Sequence, residues 1–298
     1  MATIGTTLPS VLAGCAVLLA GIAYLDPGLA LVDMFREQTG WLRAKATSSS
    51  HFTCLPHAYT TELVSVDPLV IYIRNFTTSA EAASIMATGT PHLVSSPIVV
   101  RGADASGAPS RTSHSAPLDP TDPAVACVLA RARSFMGGVL PPPQDDNNEA
   151  GSGGPQMVRY NSTGSRFDLH TDWFARPRVL PADAAAGRRR MYNRAATFFA
   201  VLECRNCSAR DAAGETWFPR VEPVAVSKRA GEDGAWRRHQ DGGVAFAPAA
   251  GNAVFWVNLF PANGSGDARV VHAGLPVAEG SVKTAMNIWP RVFFGPDA

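Results

Sequence analysis

The pattern of apolar and polar residues changes period along the chain, and the changes mark its elements. From Met1 to Leu25 no side chain is charged, and "LPSVLAGCAVLLAGIAYL" is an 18-residue, mostly apolar run. That length predicts a membrane-spanning helix, and the lack of a basic segment before it favours an uncleaved anchor over a signal peptide cut near Ala23 or Ala30. "FREQTGWLRAKATSSSHFT" follows with the polar, serine-ended texture of a stem. "DPLVIYIRNF" (67–76) then reads as a short strand and "SAEAASIMA" as a short helix capped by Ser79. In "TDPAVACVLARARSFMG" the apolar residues Val125, Val128, Leu129, Ala132 and Phe135 recur at helical spacing. Asp122 can cap that helix, Pro123 fits its first turn and Gly137 can end it.

"LPPPQDDNNEAGSGGPQ" (140–156) combines proline, glycine and polar residues and reads as a loop. Beyond it the runs "QMVRYNS", "ATFFAVLE", "GVAFAPAAGNAVFWVNLF" and "KTAMNIWPRVFF" are short, β-prone and separated by turns, a spacing that suits a sandwich or barrel. Two insertions, "ARPRVLPADAAAGRRRMYNR" and "SKRAGEDGAWRRHQDGG", interrupt them. The expected organisation is an anchor over 1–30, a stem over 31–53 and one domain over 54–298. That domain is mainly β with flanking helices: a helical part at about 67–137 and a strand-rich core at about 156–294.

Charge adds an exclusion. The 26 basic and 25 acidic side chains nearly cancel, so nothing points to nucleic acid, and a small molecule or another protein is the expected partner. Four N-x-S/T sequons, at Asn75, Asn161, Asn206 and Asn263, matter only on the lumenal or extracellular side. Cys15 lies in the apolar run, which leaves Cys54, Cys127, Cys204 and Cys207, an even number, for an oxidising compartment. Cys204 and Cys207 have the spacing of a zinc or redox motif, but no second pair accompanies them, so a disulfide or two inert thiols is the simpler reading; the pairing stays open. The whole points to a membrane-tethered lumenal protein, placed at the endoplasmic reticulum membrane.

The chemistry begins at "RFDLHTDWF" (166–174), where His170 and Asp172 stand two apart, the spacing that puts two strand side chains on one face. Alone they could be a solvated strand face. Farther on, "ARVVHAGLPVAEGSVKTAMNIW" supplies His272 and, eleven residues later, Lys283. Two histidines and one carboxylate on one face of an octahedron leave three positions open, as in non-haem Fe(II) oxygenases. A 2-oxo acid co-substrate takes two of them, O₂ one, and a cation such as Lys283 can hold the co-substrate's second carboxylate.

From "DPLVIYIRNFTTSAEA" to "NIWPR" the chain resembles the prolyl 4-hydroxylase branch of the 2-oxoglutarate/Fe(II) dioxygenases. "RTS" (Arg111–Ser113), "VRYNSTGSRFDLHTDWF", "RAATFFAVLE", "AGETWFP", "GNAVFWVNL" and "VVHAGLPVAEGSVK" occur in that family's order. The resemblance implies a double-stranded β-helix, or jelly roll, with Fe(II) held by His170, Asp172 and His272. It also implies a 2-oxoglutarate anchor at Lys283, co-substrate hydroxyls at Tyr160 and Thr216, and a substrate-side Arg194. The implied reaction hydroxylates proline in a protein or peptide, releases succinate and CO₂, and uses L-ascorbate to restore oxidised iron. Departures from the pattern are one extra residue between His272 and Lys283, expected to be absorbed at Gly280, and one between Tyr160 and His170. Phe167 replaces a common tyrosine, and "AG" replaces a common "GG" before Glu215. Arg291 is the alternative anchor. The rival readings are the same chemistry on a non-proline substrate and a catalytically silent, membrane-tethered binding module. A zinc hydrolase lacks its helical general-base motif. Trp217, Trp256 and Trp289 read as core or groove wall, while His114 and His239 show no partner.

Overall fold

The computed structural model describes residues 52–96, 110–137, 152–207, 213–224 and 234–298, all within one compact unit, Phe52–Ala298. The expected anchor and nearly all of the stem lie outside the described residues. Among those described, no helix is long and apolar enough to cross a membrane.

The strands are β1 (Thr60–Ser65), β2 (Val70–Arg74), β3 (Val94–Ser95), β4 (His114–Pro117), β5 (Ser152–Tyr160), β6 (Phe167–His170), β7 (Met191–Arg194) and β8 (Ala196–Arg205), then β9 (Thr216–Phe218), β10 (Trp236–Arg238), β11 (Val244–Phe246), β12 (Ala253–Val257), β13 (His272–Gly274) and β14 (Val282–Phe294). The helices are α1 (Ser79–Gly89), α2 (Pro123–Gly137) and the short α3 (Pro181–Ala185). One sheet runs β1-β2-β12-β8-β14-β5-β4-β3 with β7 added beside β14, and the other runs β10-β11-β9-β13-β6; the paired strands are antiparallel. The domain is thus mainly β, in two antiparallel sheets consistent with a double-stranded β-helix.

The central strands explain the sequence texture. β8 is a continuous apolar run, not an alternating one, because both of its faces are covered. Phe198, Ala200 and Leu202 face a cluster shared with α1 and α2, while Phe199 and Val201 face the space between the sheets. β12 and β14 divide in the same way: Phe255, Met286 and Ile288 go to the helices, Trp256 and Ala285 to the inter-sheet side.

The apolar stripe of α2 is buried as its spacing predicts, and Asp122 Oδ1 accepts from the amides of Ala124 and Val125. For α1 the cap is Thr78, not Ser79. Its hydroxyl accepts from Glu81 N while Glu81 returns a bond to Thr78 N, a reciprocal box that Ser79 could not form. Two further expectations fail. Ser152–Gln156, read as loop, opens β5, since pairing with β14 overrides its glycines and proline. The basic insertion over 175–194 contains α3 and β7, and the second insertion contributes β10. Strands β1–β4 also extend the large sheet well before residue 156.

Arg131 of α2 reaches Glu81 of α1 through two bonds of 2.6 and 2.9 Å and also donates to Phe76 O at 2.7 Å. Burial opposes the charge on Glu81, but Arg131 and the cap amide outweigh it and hold the carboxyl below its usual value. Arg131→Met should destabilise the domain by about 3–5 kcal/mol, because it strands a buried carboxylate. Urea unfolding measures this, and a loss under about 1 kcal/mol would show that water reaches Glu81.

Candidate metal centre

β13 runs antiparallel to β6 with His272 directly opposite His170, so two imidazoles meet across one pair of neighbouring strands, ring centroids 4.3 Å apart. Asp172 lies just past the end of β6, and strand alternation therefore does not aim it. Instead Thr197 of β8 donates its hydroxyl to Asp172 Oδ2 at 2.8 Å, and Asn258 Nδ2 donates to Thr197 Oγ1 at 2.9 Å. His170 Nε2 stands 3.9 Å from Asp172 Oδ1, and His272 Nε2 3.9 Å from Oδ2. The ligand atoms of all three residues fall within 4.8 Å of one another.

The donor set suits a divalent metal. His170 Nδ1 lies 2.8 Å from Asp168 O and His272 Nδ1 3.0 Å from Val270 O. A carbonyl only accepts, so each Nδ1 carries a proton, and Nε2 is the ring atom left to ligate at the centre. Burial, then repulsion from His272, pushes His170 down to about 3 despite Asp172, so the ring is neutral at physiological pH. Burial raises Asp172, but His272, His170 and Arg194 outweigh it and hold the carboxyl below the usual range. Two imidazoles and one carboxylate in this arrangement form a candidate facial triad. Phe167 stacks on His170 at 3.6 Å, and Phe218 and Trp256 wall in His272.

Lys283 is 1% exposed, on the inter-sheet side of β14. Nζ donates to Gly214 O at 2.7 Å and to Thr216 Oγ1 at 3.1 Å, with the Phe199 and Tyr160 rings beside it. Both oxygens are neutral, and Glu215 is engaged in a two-pronged pair with Arg237. Among the described residues no carboxylate forms an ion pair with Lys283. Burial, only partly offset by Glu215, brings its pKa down to about 7. Gly280 has φ of 69° in the turn before β14, a conformation suited to taking up the extra residue. That turn is stitched to the 204–207 segment. Asn206 Nδ2 donates to Gly280 O, Ser281 Oγ donates to Asn206 O, and Cys204 pairs with Lys283 across the strands. Cys204 and Cys207 form a disulfide, as do Cys54 and Cys127.

Tyr160 pairs with Lys283 across β5 and β14, and burial raises it to about 12, so it stays a neutral phenol. Gly274 keeps the gap beside it open: a Cβ there would meet the Tyr160 hydroxyl at 3.3 Å. Thr216 lies opposite Gly274, between Lys283 and the triad strands. Arg194 donates to Asp172 O at 3.2 Å and lies over Trp289 at 3.6 Å. Arg291 stands at the other end of β14, opposite Arg194 and over Tyr192, away from the Lys283 chamber.

Three contributors escaped the sequence reading. Thr197 and Asn258 carry no motif signal. Arg111 carries no signal beyond the "RTS" block, yet its guanidinium lies over Phe167, and burial lowers its pKa against the opposing charge of Asp172. His239 does have partners: Nδ1 accepts from Asp241 N, and the ring packs on Trp217. Trp256 and Trp289 are buried wall residues as read.

No family model matches the chain. Over 228 residues it is 25% identical to prolyl 4-hydroxylase 13 of Arabidopsis thaliana, covering 76% of this chain and 73% of that one. That relative and the converged triad decide the kinship. The chain is a prolyl 4-hydroxylase-like 2-oxoglutarate/Fe(II) dioxygenase by distant homology. Among solved structures it is similar to the collagen prolyl hydroxylase of Paramecium bursaria Chlorella virus-1 in its 2-oxoglutarate complex, at 18% identity, TM-score 0.49 and coverage of 75% of this chain and 96% of that one. It is also similar to a Trichoplax adhaerens prolyl hydroxylase bound to a hypoxia-inducible-factor peptide, at 12% identity, TM-score 0.47 and coverage of 74% and 82%.

Proposed function

We propose that this dioxygenase hydroxylates proline in a protein or peptide of the secretory pathway. His170, Asp172 and His272 hold the iron, and Lys283 with Thr216 and Tyr160 receives 2-oxoglutarate. Bound there, Fe(II) with 2-oxoglutarate would activate O₂, one oxygen atom going to the substrate C–H and the other into succinate with release of CO₂; L-ascorbate would keep the iron ferrous between turnovers. The observation that carries the reading is Lys283: a buried amine that, among the described residues, is bonded only to neutral oxygens is stabilised by an incoming carboxylate. Phe199 and Tyr160 keep water from its Nζ, which strengthens that attraction. Thr197 and Asn258 orient the carboxylate ligand, and the carbonyls of Asp168 and Val270 fix the tautomers of the two imidazoles. Arg194, which lies over Trp289 and donates to the Asp172 carbonyl, is the substrate-side arginine of this reading.

Two features support a lumenal domain anchored at the endoplasmic reticulum membrane by the N-terminal apolar run. All four sequon asparagines are exposed, and all four cysteines of the domain are in disulfides, as suits an oxidising compartment. The test is succinate release by the full-length chain with Fe(II), ascorbate, 2-oxoglutarate and a pool of proline-rich peptides, with His170→Ala as control. Succinate that depends on His170, with one oxygen gained on a peptide proline, is the expected result. Succinate without proline oxidation would move the assignment to another substrate, and iron binding without succinate would favour the silent module.

A further inference from the structure

The turn that delivers Lys283 is held from outside its own strand. Cys204 and Arg205 end β8, Asn206 and Cys207 follow, and the Cys204–Cys207 disulfide closes the four into a loop. Cys204 is the direct partner of Lys283 across β8 and β14, so the two side chains share the inter-sheet face, where Cys204 packs beside the apolar cluster. Asn206 donates from Nδ2 to Gly280 O at 2.9 Å, and its backbone carbonyl accepts from Ser281 Oγ at 2.8 Å. Cys207 Sγ lies 3.7 Å from Val282 O. The loop thus touches each of the residues leading into Lys283, and Asn206 makes its two bonds from a left-handed backbone conformation, φ 53°.

The two disulfides differ in what they can constrain. Cys54 and Cys127 are 73 residues apart, and the restriction a cross-link places on the unfolded chain grows with the span it closes, so that bond suits the stability of the whole domain. Cys204 and Cys207 are 3 apart and restrict the unfolded chain little; what their bond fixes is local. The local geometry matters because Gly280, at φ 69°, sets the residue at which the chain enters β14. A slip of one residue there would carry Lys283 from the inter-sheet face to the opposite one. Asparagine adopts a left-handed conformation more readily than most residues but less readily than glycine, so with the loop open Asn206 has other conformations to visit, each of which releases the turn. Arg205 and Asn206 are exposed and Cys207 is half-buried, so a thiolate can approach the loop from solvent.

We propose that the Cys204–Cys207 disulfide is a redox control on co-substrate binding. Closed, the loop holds the Gly280 turn in the register that keeps Lys283 inside; opened by a dithiol reductant, it releases that turn and 2-oxoglutarate affinity falls. In the exchange a reductant thiolate attacks one sulfur of the disulfide and its second thiol resolves the mixed disulfide. Two electrons and two protons end on Cys204 and Cys207, and the reductant closes into its own disulfide. The inference rests on Lys283 as the 2-oxoglutarate anchor of the proposed function, and its test includes a readout that needs no co-substrate. The Mn(II)-loaded full-length chain would be compared when oxidised, after anaerobic treatment with dithiothreitol and its removal, and as Cys207→Ala, with thiols counted by alkylation and mass spectrometry. Opening the loop by either route should raise the 2-oxoglutarate dissociation constant about tenfold and speed amide exchange over residues 278–284. Mn(II) affinity should stay within about twofold, because the metal ligands lie on other strands. Reoxidation should restore the wild type. Ser281→Ala, which cuts one tie and leaves the disulfide closed, should raise the constant about threefold. Equal affinity of the oxidised and reduced chains would overturn the inference. So would a Cys207→Ala variant that binds as tightly as the oxidised wild type, or a reductant effect as large in that variant as in the wild type. If the oxidised wild type bound no 2-oxoglutarate, the proposed function would fall instead, and amide exchange would still decide whether the loop holds the turn: faster exchange on reduction upholds that coupling, unchanged exchange overturns it.

Discussion

Replacing Asp172 with Ala is expected to weaken Mn(II) binding, used as a redox-stable probe of the site, by well over the roughly 10–100-fold that follows loss of a supporting partner. Peptide-dependent succinate should fall to background. Asp172 is the sole anionic member of the triad, and its two oxygens face the two histidines at 3.9 Å. Without it, two neutral imidazoles must hold a dication beside the Arg194 guanidinium. Thr197→Val makes the informative contrast. It keeps all three ligands but removes the hydroxyl bonded to Asp172 Oδ2, and it leaves Asn258 Nδ2 without that acceptor. Its loss of Mn(II) affinity should stay inside the 10–100-fold range. Binding read by electron paramagnetic resonance separates the cases without any need for turnover. If Asp172→Ala retained affinity within about threefold of the wild type, the carboxylate would not be a ligand and the facial-triad assignment would be lost.

The same centre shows where the sequence is readable. His170 and His272 were recoverable from motif spacing because an antiparallel register places them opposite each other, and such registers follow from β-prone runs separated by turns. For Asp172 the two-residue spacing is only half of the reason. It stands two residues beyond His170 but past the strand end, so a threonine on β8, not alternation, aims it. Thr197 and Asn258 lie far from the motif in sequence and have residue types that strands and turns use freely; their role exists only once β8 and β12 pair. The helices were legible where local chemistry decides them, as with Asp122 and Pro123 of α2. A cap displaced by one residue in α1 went to whichever side chain could complete the reciprocal box with Glu81. Strand β7 was hidden in a basic insertion because its stability comes from β14 and from stacking on aromatic rings, neither of which leaves an apolar periodicity.

Lys283→Met is expected to raise the dissociation constant for 2-oxoglutarate by about 100-fold or more, the cost of leaving a buried carboxylate without its cationic partner. Mn(II) affinity should be unchanged, which places the loss at the co-substrate and not at the metal. Arg291→Ala tests the alternative anchor. Arg291 stands eight residues along β14 from Lys283, about 26 Å at strand rise, so its loss should leave 2-oxoglutarate binding as it was. Stability adds an independent signature. Burial lowers Lys283 to about 7 in the ligand-free fold, against 10.5 for the ordinary side chain. Between those values the unfolded chain binds the extra proton, so this group makes stability rise with pH from about 7 towards 10.5, while below 7 the buried ammonium costs the fold its full penalty. The Met variant lacks the titrating group and should lose that part of the rise. Co-substrate binding runs the other way. A dicarboxylate favours the ammonium, so above pH 7 the wild type must take up a proton on binding, and its affinity should fall with each further pH unit. A Met variant that kept wild-type 2-oxoglutarate affinity, or an Arg291→Ala variant that lost it, would move the anchor to the far end of the strand.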